Sequence, residues 1–434
     1  MRCIARDELG MHETPAAPTS EQTDEREGAR YELLDPSVLQ DPYPLYRRMR
    51  DEAPVHRDRR FRGWILTSYD DVLAVLRDPR VSSQRPLANE PVGRSLAAIA
   101  TEVREIREFQ ARWMMHLDPP EHTRLRTLAS KAFTAARADG LRKTVQDLAD
   151  ELLSPAREAG YIDLVQDLAR PLPALVIGDL LGVPREDRPT LRVWSDGIAA
   201  GMVLSGRGQA ALDGFREAHR TQREFVDYFR TLIAERRRRP KYDLLSAFIA
   251  AEENGGILND DELISMCVLL LFAGHETTTG LIGNGLLALL NHPGQLERLR
   301  EEPALIERAV EEFLRFDCPV QATGRRARVA MDIGGYRVEP GDFLTPVIGA
   351  ANRDPKRFAR ADELDIARDD NRHLGFAHGP HYCLGAPLAR LEGQIAIGTV
   401  LQTFARLEPG GLPKRRQHFY LRGLESLPVV VGSR

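Results

Sequence analysis

Residues 263–274 read LISMCVLLLFAG, and wound as a helix they are apolar on every face. Such a helix is buried on all sides or lies in lipid. His275 and Glu276, with Thr277, Thr278 and Thr279, interrupt the run before Leu281 resumes it. A membrane span of about 20 residues rarely carries such a charged centre. The segment therefore predicts one long helix through the middle of a soluble core, wrapped by others. With 42% hydrophobic and 29% charged residues among 434, the chain can supply both that core and an ordinary surface.

Helix dominates the expectation elsewhere. Asp41-Pro42-Tyr43-Pro44 opens a helix with Leu45, Met49 and Ala53 at near-helical spacing, residues 64–67 form a strand candidate, and a helix runs from near Ser68 through Leu76. Residues 80–94, rich in Pro, Gly and Ser, read as a long loop. Amphipathic helices are predicted over 120–133, 141–159, 171–181, 189–203 and 209–239, and around 309–316. The run 333–338, the turn Glu339-Pro340-Gly341-Asp342 and the run 343–345 read as a hairpin. No composition shift or repeat marks a boundary, so the expectation is a single, mainly α domain over 31–434, a large helical bundle with small β-sheet regions.

The net charge of −4 comes from 60 basic and 64 acidic residues spread along the chain, which implies no nucleic-acid partner. The densest basic run, 236–239, follows a helical pattern and reads as a solvated helix end. Four cysteines (Cys3, Cys267, Cys318, Cys383) without a CxxC pair make no disulfide framework or structural zinc site, so a reducing cytoplasm is expected. Residues 1–30 are polar, lack an apolar h-region and read as a disordered leader, with Met11 as an alternative start; neither secretion nor a membrane anchor is expected.

The most specific constellation is Phe376-Ala377-His378-Gly379-Pro380-His381-Tyr382-Cys383-Leu384-Gly385, which leads into a helix. At that junction amide N–H groups and the positive helix end can stabilise a Cys383 thiolate, while Gly379 and Gly385 let the backbone turn closely around a bulky planar ligand. The alternative for a lone cysteine is a small buried hydrophobe. The pattern F-x-x-G-x-H-x-C-x-G resembles the haem-binding signature of the cytochrome P450 family, which implies that Cys383 ligates the haem iron. Ala377 stands where many members carry Gly; because Ala fits most backbone conformations, the departure is read as minor.

Further motifs occur in the order the resemblance requires. Ala273-Gly274-His275-Glu276-Thr277-Thr278 is similar to the family's oxygen-activation motif. Ala273 and Gly274 share the face of Thr277, and their smallness would let a flat cofactor approach the backbone. The resemblance implies that Thr277 hydrogen-bonds the reduced oxygen and that Glu276 helps relay protons. Against this stand a threonine bonded back to the carbonyl four residues earlier and a structural salt bridge for Glu276. His275 has no second His four residues away, so a zinc reading fails. Glu312-Phe313-Leu314-Arg315 matches E-x-x-R, implying a buried ion pair with Arg368 as third member. In Asp118-Pro119-Pro120-Glu121-His122-Thr123-Arg124-Leu125-Arg126, His122 and Arg126 lie four apart on one face. The resemblance makes them haem-propionate ligands together with Arg325, preferred over Arg326, and His381. Phe376 belongs to the same haem pocket, and His373 is read as structural.

The resemblance as a whole implies the cytochrome P450 fold of the bacterial soluble type, and a monomer. It implies haem b and O2, with electrons from NAD(P)H passing through a ferredoxin reductase and a ferredoxin. The implied reaction is hydroxylation or epoxidation of a small or medium organic substrate, free or bound to a carrier protein, with a polyketide, macrolide or peptide as the default. Oxidative coupling without oxygen insertion, and a non-catalytic haem-thiolate sensor, are the alternatives; intact Glu276 and Thr277 disfavour the sensor and a peroxide-driven enzyme. The family layout would line the substrate pocket with the 80–117 loop, residues 202–214, Leu270, Ala273, Val320, Ala322, Thr323 and a turn near Leu424, with Arg85, Arg94 and Arg207 as polar anchors.

Overall fold

The computed structural model describes residues 31–84, 94–202, 209–253 and 256–433. The leader at 1–30, Arg85 and Arg207, and the side chain of Arg94 lie outside the described residues.

The central helix spans Asp260–Asn291. Its start is fixed by a reciprocal cap: Asn259 accepts from the Glu262 N–H while the Glu262 carboxylate accepts from the Asn259 N–H. By composition the helix could cross a bilayer, but 78% of its most apolar window is buried inside the protein. Helices Pro171–Leu180, Arg188–Met202, Gln209–Arg238, Ile306–Phe316 and Ala386–Thr403 pack around it. Where Gly274 lies, Ile177 Cδ1 comes within 3.0 Å of the position a Cβ would occupy, so its smallness serves helix packing as well as the cavity.

Beside this bundle lies a five-stranded sheet in the order Val55–Asp58, Gly63–Leu66, Phe343–Pro346, Arg325–Ala327, Val81–Ser82. The expected hairpin across residues 339–342 does not form. Met331–Ile333 instead pairs with Tyr336–Val338 around Gly334 and Gly335, both at positive φ. Phe343–Pro346 joins Gly63–Leu66 in parallel, with Leu344 opposite Trp64. The Gly-Gly pair makes the tighter turn, and residues 339–342 become the link to the larger sheet.

The long-loop expectation is corrected over 94–111, where a 3₁₀ segment, Arg94–Ile99, leads into the helix Ala100–Ala111. Val103 and Ile106, one turn apart, are buried with Ile99 against Phe215 and Ala218 of the Gln209–Arg238 helix.

Candidate active site

The central helix and the loop before Ala386–Thr403 face each other across a cavity of about 1520 Å³. Sites for single small molecules are commonly about 300–1,000 Å³, so this one has room for a large planar group and a substrate together. One wall carries Leu270, Ala273, Gly274 and Thr277; the other carries Phe376, Ala377, His381, Cys383 and Gly385. Val320, Ala322 and Thr323 close a third side.

Cys383 is held in place by its N–H, which donates to the Phe376 carbonyl at 3.0 Å. Burial pushes its thiol pKa up, while the N–H groups of Gly385 and Ala386 and the charges of Arg126 and Arg390 pull it down. A cation opposite the sulfur would tip that balance towards thiolate. Arg390 grips Glu311 bidentately, at 2.7 and 2.8 Å, and stacks on Phe376 with its guanidinium carbon 4.6 Å from the ring centroid. Burial opposes ionisation of Glu311, yet Arg390 and His373 hold its pKa down to about 2. His373 is thus a structural member of the loop's support.

Two expectations for this loop need correction. Gly379 does not line the cavity: at φ +71 it presses on the helix Tyr69–Arg77, where a Cβ would meet Leu76 O at 2.6 Å. Ala377 sits at φ +58, a left-handed conformation in which a Cβ is strained, so Ala at this position is no minor departure. At Gly385 an added Cβ would find only Cys383 Sγ, 3.9 Å away, which leaves an open cradle beside the sulfur.

At one edge of the cavity His116, His122, Arg126, Arg325 and His381 converge. Burial, followed by the charges of His122, Arg325, Arg126 and His116, drives His381 down to about 3. His122 is lowered by burial and by Arg126, and its buried Nε2 has no hydrogen-bond partner. The acid beside it, Asp118, is bound to Ser82 and Ser83. Donors crowded at this cost fit a dianionic group, as the two propionates of a haem would be. Arg326 also lines the cavity, with its Nη1 donating to Gly341 O at 2.8 Å.

On the opposite wall Thr277 Oγ1 donates to Ala273 O at 2.6 Å, and Glu276, outside the cavity lining, is paired with Arg416. Both contacts weighed against the functional reading are therefore present, although Thr277 also faces the cavity. His275 is fully spoken for: Ser195 Oγ lies 2.5 Å from Nδ1 and Arg170 O lies 2.8 Å from Nε2.

Glu312, Arg315 and Arg368 come together as a buried cluster. Arg315 donates twice to Glu312, each at 2.8 Å, and Arg368 Nε donates at 3.1 Å. Leu424 does not line the cavity. It is on the strand Leu424–Ser426, packed towards Gly283, and residues 417–421 form that wall instead. Leu212, Asp213 and Gly214 do not line the cavity either; Leu212 packs on the Phe215 cluster.

The sequence gives no signal for His116, which the Met114–His116 turn brings to the rim, or for Gln417 to Leu421. It also hides Glu392, a cavity-lining residue that is 1% exposed and whose Oε2 is unpartnered. Burial alone lifts the pKa of this carboxyl well above the usual range.

The cytochrome P450 family model matches residues 100–425. The polyketide biosynthesis cytochrome P450 PksS of Bacillus subtilis is 39% identical over 90% of this chain and 96% of its own length. The cytochrome P450 monooxygenase PikC of Streptomyces venezuelae is 40% identical over 90% and 91%. The crystal structure of P450BioI in complex with acyl carrier protein ligated to hexadec-9Z-enoic acid superposes with a TM-score of 0.82 at 36% identity, covering 91% of this chain and 99% of that one. With the motifs in order and matches over nearly the whole chain, the protein belongs to the cytochrome P450 family.

Proposed function

We propose that this cytochrome P450 monooxygenase hydroxylates or epoxidises a secondary metabolite of the polyketide, macrolide or peptide class. It would act as a cytoplasmic monomer, with electrons from NAD(P)H delivered by a ferredoxin reductase and a ferredoxin. The observation that carries the reading is the placement of Cys383 and Thr277 on facing walls of one cavity, with His122, Arg126, Arg325 and His381 along its edge. A haem b bound there would supply O2 activation with two electrons and transfer of one oxygen atom.

The chain's own residues then have separate tasks. Cys383 would hold the iron, and the edge cations and imidazoles would bind the two carboxylates and set the ring's orientation. Leu270, Val320 and Ala322 keep water from the reacting centre and present an apolar face to the substrate. Thr277 holds a hydroxyl at the cavity surface, where its oxygen can accept or release a proton. Glu276, one residue earlier, is the acid placed to replenish it. The substrate class is supported by likeness to PksS, named for polyketide biosynthesis, and delivery on a carrier by likeness to the P450BioI complex.

Reduction of the purified protein under carbon monoxide tests the centre of this reading. A Soret band at the position of a thiolate-ligated haem is expected; the position of a histidine-ligated haem in folded protein would overturn it. Product formation coupled to NADH with a surrogate ferredoxin pair would separate turnover from mere haem binding. A screen of haem spin state against candidate metabolites would identify the substrate.

A further inference from the structure

Glu276 lies in the middle of the central helix with its side chain 4% exposed, and its carboxylate is met by the guanidinium of Arg416, whose side chain is 24% exposed. Arg416 comes from the C-terminal hairpin, Lys414–Arg415 paired with Leu424–Ser426. The hairpin is pinned on both sides of its tip. Arg415 reaches Asn284 Oδ1 at 3.3 Å and Asp317 Oδ2 at 3.0 Å, and Arg422 reaches Asp317 Oδ1 at 2.5 Å. Between these pins, residues 417–421 form a wall of the cavity.

We propose that Arg416 is a positioning residue for the reaction, holding the Glu276 carboxylate from the cavity-lining hairpin so that one element both contacts substrate and orients the acid. The inference rests on the monooxygenase reading above. Other groups facing Glu276 do not replace the guanidinium. His275 Nδ1 is 3.9 Å away, but both ring nitrogens are already engaged, Nε2 with the Arg170 carbonyl and Nδ1 with Ser195 Oγ. His418 accepts the Leu421 N–H at Nδ1, 2.8 Å away, and is neutral; burial and Arg416 hold its pKa down to about 4. Arg416 thereby sets where the acid sits.

The backbone ties this to the cavity. Arg416 N–H donates to Gly423 O at 3.1 Å, closing the hairpin just before its tip, and the His418 ring closes the tip internally. A single residue, Gln417, separates the acid's partner from His418 on the cavity wall. A ligand packed against His418 or Phe419 therefore restrains the same short segment that holds the acid.

The test uses Arg416→Gln and Arg416→Lys in the full chain. In haem-free protein, a crystal structure of Arg416→Gln should show the Glu276 carboxylate displaced from its wild-type position. That displacement should be absent from Arg416→Lys. In the haem-loaded enzyme, fed by a surrogate ferredoxin pair without substrate, Arg416→Gln should raise the share of consumed O2 released as peroxide severalfold, towards the value of Glu276→Gln. Arg416→Lys should restore it. Absence of that displacement, or a wild-type peroxide share in Arg416→Gln while Glu276→Gln differs, overturns the proposal and leaves the monooxygenase reading standing. Loss of the thiolate spectrum in the wild type would sink that reading alone, since the crystallographic arm needs no haem.

Discussion

The imidazoles of His122 and His381 lie 4.1 Å apart, centroid to centroid, tilted by 41° across the edge of the cavity. Burial and nearby guanidinium groups hold both rings neutral, His381 from an ordinary 6.5 down to about 3. Between these values the unfolded chain binds protons that the folded one refuses, so stability rises with pH across the window and is lost on acidification. Urea unfolding of haem-free protein should show that slope below about pH 6.5, and His381→Gln should flatten it. A bound dianion would lift both pKa values and flatten it as well. An unchanged slope in haem-free His381→Gln would show that the ring does not carry the effect.

Ala377 holds its left-handed conformation against a steric cost of roughly 1–2 kcal/mol. Ala377→Gly removes that cost but adds about 0.4–1 kcal/mol of unfolded-chain freedom. A net stabilisation of about 0.5–1 kcal/mol is expected in chemical denaturation. A destabilised Ala377→Gly protein would show that the methyl's packing outweighs its strain.

Glu312 accepts from Arg315, Arg368, Asn371 and the Asp365 N–H, with no exposure to solvent. Glu312→Gln strands a buried guanidinium, at a cost of about 3–5 kcal/mol. Low haem content and an early unfolding midpoint should follow. Arg368→Gln should cost less, because Arg315 still neutralises Glu312. Equal losses in the two variants would refute this ranking.

Thr277 gives its proton to Ala273 O in the resting arrangement, which leaves its oxygen lone pairs towards the cavity. Thr277→Ala should retain the thiolate spectrum while diverting reducing equivalents to peroxide, and Thr277→Ser should stay close to wild type. Tight coupling of NADH to product in Thr277→Ala would show that the hydroxyl is dispensable.

What could be read in advance followed how local the determinant is. The Cys383 loop, the central helix and the His122 to Arg126 turn each fit within a few residues, so spacing and residue type were enough to single them out. Leu424 was displaced from the cavity because the hairpin's pairing, set by residues 414 and 415, decides which part becomes the tip. Phe343–Pro346 takes a partner from the first quarter of the chain, which no local pattern encodes. Glu392, beside Arg390 in a helical stretch, reads as an ordinary surface acid until its helix is packed. Ala377 shows the limit of judging a residue by type alone, because the cost lies in φ.

The contact of Gly379 with Leu76, reinforced by Arg77 Nε donating to His378 Nδ1 at 3.1 Å, joins segments 301 residues apart. In the order of synthesis, the ribosome has released nearly the whole chain before the cysteine loop meets the surface it rests on. Contacts this distant in sequence close slowly, because a long loop must lose its freedom first. The sulfur therefore reaches its final height late, and a chain lacking the Tyr69–Arg77 helix would have nothing against which to set it.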